Sequence, residues 1–133
     1  MRYSYRAQVS DQFSAAHHLR GDCGPCARNH GHNWRVCAVV EAEELDERGM
    51  VIDFLVLQAA LRQVLDRYEH QDLNALPPFN SEVNPSAENV ARLIAEQLME
   101  LLAGKAARLV EVQLAETDTM VVSCRIVADE AGT

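Results

Sequence analysis

Aromatic side chains are scarce in this sequence. Phe, Tyr and Trp make up 5% of its 133 residues, with a single Trp. A chain this small buries a modest core, so association with further copies is an expected second source of stability. Cysteine is sparse as well. Cys23, Cys26, Cys37 and Cys124 are too few and too scattered for a disulfide scaffold. No apolar run approaches the roughly 20 residues needed to cross a bilayer. The opening Met1-Arg2-Tyr3-Ser4-Tyr5 is not followed by the apolar core of a secretory signal. These absences give the expectation of a cytoplasmic protein with no membrane partner and reduced thiols. Basic residues are outnumbered, 12 against 20 acidic ones, for a net charge of −8. A surface that acidic repels phosphate backbones and argues against a direct nucleic-acid binder. It does not exclude a small anionic substrate held in a locally basic cleft.

The length, the 48% hydrophobic content and the 24% charged content fit one globular domain over residues 1–133. Tyr3 to Phe13 alternates, with Tyr3, Tyr5, Ala7 and Val9 on one face of an expected strand. Residues 19–31 carry Gly21, Gly24, Pro25 and Gly31 and read as a loop. Trp34 to Ala42 reads as a second strand. Asp53 is a candidate N-cap for a helix in which Phe54, Leu57, Leu61, Val64, Leu65 and Tyr68 recur at helical spacing, ending near Glu69. After an irregular, proline-bearing stretch, Ser86 caps a second helix with Val90, Leu93, Ile94, Leu98, Leu101 and Leu102 on its apolar stripe; Gly104 stops it. Arg108 to Glu116 and Met120 to Val127 form a closing hairpin, with Val110, Val112, Leu114 and Glu116 on one face. The order β-β-α-α-β-β predicts an α+β layer structure: an antiparallel four-stranded sheet with two helices on one face.

Three histidines stand in a distinctive pattern. In extended backbone His30 and His32 point to the same side, and His17 reaches them if the first two strands pair. Three neutral imidazoles with an open fourth position suit a catalytic Zn2+, which acts as a Lewis acid on a hydroxyl or carbonyl. The alternative is a set of solvent-facing or hydrogen-bonded histidines. His18 points the other way in a strand and reads as supporting. Cys23-Gly24-Pro25-Cys26 has redox spacing, but no helix follows it and no second Cys-x-x-Cys completes a zinc ribbon. Cys26, four residues before a ligand candidate, is better read as a base, because nearby positive charge favours thiolate. Glu69 and His70 form either a proton-moving pair or an ordinary helix terminus. Glu116 lies at an exposed strand end, or is buried to bind a guanidine-like edge such as that of a pterin.

Four segments taken in order are more specific than any one of them. They are Phe13-Ser14-Ala15-Ala16-His17, Cys26-Ala27-Arg28-Asn29-His30-Gly31-His32, Gly49-Met50-Val51-Ile52-Asp53-Phe54 and Ala115-Glu116-Thr117; Asn84-Pro85-Ser86-Ala87-Glu88 adds a fifth. With them the chain resembles the 6-pyruvoyltetrahydropterin synthase / 6-carboxytetrahydropterin synthase family over nearly its whole length. The resemblance implies a tunnelling fold whose subunit sheets join into an oligomeric barrel, typically a hexamer built from two trimers. It implies zinc on His17, His30 and His32, and Cys26 as general base. His70 and the carboxylate beside it become its proton-relay partners, and Glu116 the anchor of the pterin ring. The implied substrate is a small molecule, 7,8-dihydroneopterin triphosphate. One departure stands out: the relay carboxylate is usually Asp, and here it is Glu69. Cys23 is also outside the family's pattern.

Two reactions of that family compete. One makes 6-carboxytetrahydropterin for queuosine and other 7-deazapurines, releasing acetaldehyde and triphosphate; the other eliminates triphosphate to give 6-pyruvoyltetrahydropterin. The short length and compact Cys-x-x-x-His-Gly-His look more like the first. A non-catalytic zinc- or pterin-binding domain leaves Cys26, His70 and Glu116 without a purpose. A thiol–disulfide oxidoreductase would need Cys23 as well as Cys26. Triphosphate also needs local cations, and Arg20 and Arg28 are the nearest in sequence to the expected ligands.

Overall fold

The computed structural model of the protein describes residues 1–21 and 24–129. Five strands and two α-helices follow one another: β1 (Tyr5–His17), β2 (His30–Ala42), α1 (Phe54–Leu65), β3 (Gln71–Asp72), α2 (Ala87–Leu101), β4 (Arg108–Thr117) and β5 (Met120–Arg125). The sheet order is β3-β1-β2-β4-β5. All neighbours are antiparallel except the two-residue β3, which runs parallel to β1. The expected four antiparallel strands are therefore present, and β3 adds a short fifth on the β1 edge.

Alternation decides which face each strand buries. Phe13, Ala15 and His17 of β1 and Trp34, Val36, Ala38 and Val40 of β2 turn to the helix side, where both helices pack. Phe13 and Trp34 are register partners and stack with ring centroids 5.8 Å apart. The single Trp is thus a central core residue, fully buried. The opposite face carries Gln8, Ser10, Gln12, Asn33 and Arg35, a polar surface.

Both expected caps are in place. The Asp53 carboxylate accepts the Leu55 N–H at 2.8 Å, and the Ser86 hydroxyl accepts the Asn89 N–H at 3.2 Å. α1 buries Leu57, Leu61, Val64 and Leu65 and ends four residues before Glu69. Residues 66–70 continue as turns, and Tyr68 still reaches the core. Phe54, expected on the apolar stripe, is 59% exposed, because it is the first residue of the helix and precedes the packed turns. Gly104 adopts φ +85°, the left-handed conformation that stops α2.

Two irregularities change which side chains face inward. A break in the β2–β4 register at Val39/Val40 carries Leu109 into the core, so Leu109, not the expected Val110, lines up with Val112 and Leu114. A second break, in β4–β5 between Ala115 and Thr117, leaves Glu116 without a register partner. Ser86→Ala removes the cap of α2 and is expected to lower stability by about 1 kcal/mol in equilibrium urea unfolding, with an unchanged denaturant slope.

Candidate metal centre and active site

The end of β1 and the start of β2 bring three imidazoles together. His17 is the register partner of His30, and His32 returns to the same face two residues later. Ring centroids are 4.6 Å apart for His17–His30, 5.2 Å for His17–His32 and 4.8 Å for His30–His32. One nitrogen from each ring lies within 4.8 Å of the other two. Trp34 supports the group from the core side, 4.7 Å from His17 and 5.1 Å from His32 between centroids. Its indole N–H donates to the Ala15 carbonyl at 3.1 Å, which fixes the ring.

Backbone carbonyls set two of the tautomers. His17 Nδ1 lies 2.7 Å from the Pro85 carbonyl and His30 Nδ1 lies 2.7 Å from that of Arg28. A carbonyl only accepts, so each Nδ1 carries the proton and each neutral ring presents a bare Nε2. The Nε2 atoms of His17 and His32 are buried with no hydrogen-bond partner. Buried polar atoms are seldom left so, and converging orphaned imidazole nitrogens fit a metal ion. A donor set of three neutral imidazoles suits zinc. Burial lowers the pKa of both His17 and His32 despite the opposing pull of Glu116, and so favours the neutral, ligating form.

Glu116 reaches this group from β4. Its carboxylate oxygens lie 3.7 Å from His32 Nε2 and 4.0 Å from His17 Nε2. The register break at its position turns the side chain toward the histidines, as bulges near functional sites commonly do. At the same end of the sheet a cleft of about 520 Å³ is lined by Ser14, Ala16, Gly31 and Asn33, on the face away from the helices, together with His32, His70 and Asp72. His70 and His32 thus border one cleft.

Other expected residues fall elsewhere. Glu69 turns its carboxylate to the Ser14 N–H at 2.6 Å and to Arg62 at 3.5 Å. Cys26 is exposed on a 3-10 turn (Pro25–Ala27) outside that cleft, and Cys23 lies outside the described residues. His18 is held by Asn74, which bonds its N–H, its carbonyl and its ring. Arg20, a candidate triphosphate cation by sequence, is committed to the fold. Its guanidinium donates to the Phe79 and Val83 carbonyls, each at 2.7 Å, and its backbone pairs with the Asn84 side chain. Arg28 remains exposed beside His30. The contacts missed in the sequence are the carbonyl acceptors of Pro85 and Arg28 and the support from Trp34. Pro85 and Arg28 both lie in the segments that carry the resemblance, but nothing in either marked its carbonyl as a partner of an imidazole.

A mainly antiparallel sheet with two helices on one face defines a tunnelling-fold subunit, and the histidines at its end form a group that could hold a metal ion. The sequence model described as "6-pyruvoyl tetrahydropterin synthase" matches residues 6–126, and the chain belongs to that family. It is 33% identical over 104 residues to the 6-carboxy-5,6,7,8-tetrahydropterin synthase of Bacillus subtilis, covering 75% of this chain and 69% of that one. It is also 33% identical over 103 residues to the dihydroneopterin monophosphate aldolase of Pyrococcus furiosus, covering 77% and 79%. The solved structure of Caenorhabditis elegans 6-pyruvoyl tetrahydropterin synthase superposes with a TM-score of 0.84 at 26% identity, over 96% of this chain and 99% of that one. Among the described residues, no helix is long and apolar enough to cross a membrane.

The lowered pKa values of His17 and His32 have a definite sign in pH titrations. The unfolded protein takes up protons first, so stability that is complete above the ordinary histidine pKa of about 6.5 is lost as pH falls below it. Metal-stripped protein should unfold at lower urea at pH 5 than at pH 7.5, and zinc affinity measured by competition should fall over the same range. His30→Ala should abolish that affinity.

Proposed function

We propose that the protein is a zinc-dependent 6-carboxy-5,6,7,8-tetrahydropterin synthase. It would convert 7,8-dihydroneopterin triphosphate to 6-carboxytetrahydropterin, acetaldehyde and triphosphate, a step toward queuosine and other 7-deazapurines. The observation that carries the reading is the trio of His17, His30 and His32, with two orphaned Nε2 atoms, beside a carboxylate and at the same end of the sheet as a substrate-sized cleft. The 33% identity to the Bacillus subtilis enzyme supports the choice of reaction.

Zinc held by the three histidines would supply Lewis acidity toward the side-chain oxygens of the substrate. Cys26, on the exposed turn that precedes β2, would take a proton from a carbon of that substituent, and His70 would exchange protons with its oxygens. Glu116 would anchor the pterin ring, its carboxylate accepting two parallel N–H bonds from the guanidine-like edge; it reaches the histidines from β4, 3.7 Å from His32 Nε2. Glu69 is given no part in moving the proton. Exposed Met120 and Val121 on the edge strand β5 support a homo-oligomer formed by sheet extension, a hexamer of two trimers in the family's manner.

The similarity to the Caenorhabditis elegans enzyme supports a second reading, elimination of triphosphate to 6-pyruvoyltetrahydropterin. Product analysis after incubation of the zinc-loaded protein with 7,8-dihydroneopterin triphosphate separates the two. Carboxytetrahydropterin with equimolar acetaldehyde is expected; pyruvoyltetrahydropterin moves the assignment to the second reading, and no product removes the catalytic one. Cys26→Ala should retain zinc and lower turnover by at least about a hundredfold, the lower range for a lost general base.

A further inference from the structure

Residues 69 and 70 lie between α1 and β3, and both fasten onto one residue of β1. The His70 N–H donates to the Ser14 carbonyl at 2.6 Å, and the Ser14 N–H donates to the Glu69 carboxylate at 2.6 Å. Both backbone groups of Ser14 are thus satisfied on the side of β1 away from β2. The parallel β1–β3 pairing begins one residue further along, with Ala15 opposite Gln71.

His70 adopts φ +58°, a left-handed conformation that is strained for any residue but glycine and persists only where its surroundings impose it. At that bend the backbone supplies no acceptor to Ser14 N–H, and the side chain of Glu69 supplies it instead. The other oxygen of Glu69 lies 3.5 Å from Arg62 Nη2, a buried nitrogen with no hydrogen bond of its own. Arg62 is itself pinned. It donates to Asp66 at 2.8 Å, to the Gln12 carbonyl at 2.9 Å and to Asp11 at 3.2 Å, so it ties the last turn of α1 to β1. His70, meanwhile, borders the same cleft as His32, and its ring has no hydrogen-bond partner among the described residues.

We propose that Glu69 and Arg62 are positioning residues that clamp Ser14, hold His70 in its left-handed bend and so set the direction of its imidazole at the cleft. The carboxylate acts on the backbone of β1, and not as a relay partner of the ring. Its length is part of the device. Aspartate at the same position is shorter by one C–C bond, roughly 1.5 Å, and falls short of the Ser14 N–H. Glutamine keeps the length and a carbonyl that still accepts that N–H, while giving up the charge.

The two single substitutions Glu69→Gln and Glu69→Asp therefore separate a clamp from a relay, because the two roles rank them in opposite order. In the zinc-loaded protein, NMR reads the exchange protection of the Ser14 amide and the ring resonances of His70, and kinetics with 7,8-dihydroneopterin triphosphate give kcat and KM. The clamp predicts that Glu69→Gln, which keeps the acceptor for Ser14 N–H and gives up only the ion pair with Arg62, loses less than about threefold in amide protection and in kcat, with small changes in the ring shifts. Glu69→Asp should lose about tenfold or more in amide protection, move the His70 resonances and lower kcat by a similar factor, with KM within about twofold. Arg62→Gln should move the same His70 resonances in the same direction. Activity kept by Asp and lost by Gln overturns the proposal, as does unchanged Ser14 protection in Glu69→Asp or equal loss in both variants. Only the kinetic arm rests on the proposed function. If the parent protein does not turn the substrate over, that function fails while the two NMR readouts still decide the clamp.

Discussion

The register of β1 against β2 places Phe13 opposite Trp34 and His17 opposite His30, and the rest of the structure depends on it. Apolar burial enforces it. Phe13, Trp34 and Val36 are all at or below 1% exposure, so a slip of one residue would turn one strand's core set to solvent. The same register that stacks Phe13 on Trp34 delivers the histidines to one face at the strand ends. Core packing and site assembly are therefore one event. A substitution that loosened the Phe13–Trp34 stack would also loosen the support beneath His17.

Around that register, the site is held largely by backbone groups. Pro85 and Arg28 fix two imidazole tautomers, and Ala15 fixes the indole. Backbone carbonyls have no rotamers to lose, so the Nε2 lone pairs are aimed before any ion arrives. The loop that carries Pro85 is itself tied down by Arg20 and Asn84, and α2 begins immediately after it at the Ser86 cap. Arg20 thus supports the site by holding this loop. The net charge of −8 excludes few small-molecule substrates, because the local environment of the histidines is set by burial and by Glu116, not by the total.

Much of this was legible in the sequence. Alternation and helical spacing located four strands and two helices, and Asp53 and Ser86 announced their caps. The histidine pattern was legible because two ligands two apart in a strand, plus one at another strand's end, needs only local geometry and one pairing. What escaped was set by contacts between distant segments. The break at Val39/Val40 put Leu109 in place of Val110, and the break beside Glu116 turned its carboxylate to the histidines; neither has a glycine or proline to mark it. The commitment of Arg20 to the 79–83 loop depends on partners about sixty positions away. The same holds for Glu69, whose resemblance to a relay carboxylate gave no hint of Ser14.

The proposed role of the three histidines as a preorganised zinc site is tested most directly by X-ray absorption on the zinc-loaded protein. Such a site predicts a first shell of nitrogen and oxygen near 2.0–2.1 Å, with multiple-scattering features of about three imidazoles and no sulfur. A sulfur scatterer near 2.3 Å, or fewer than two imidazoles, would contradict it.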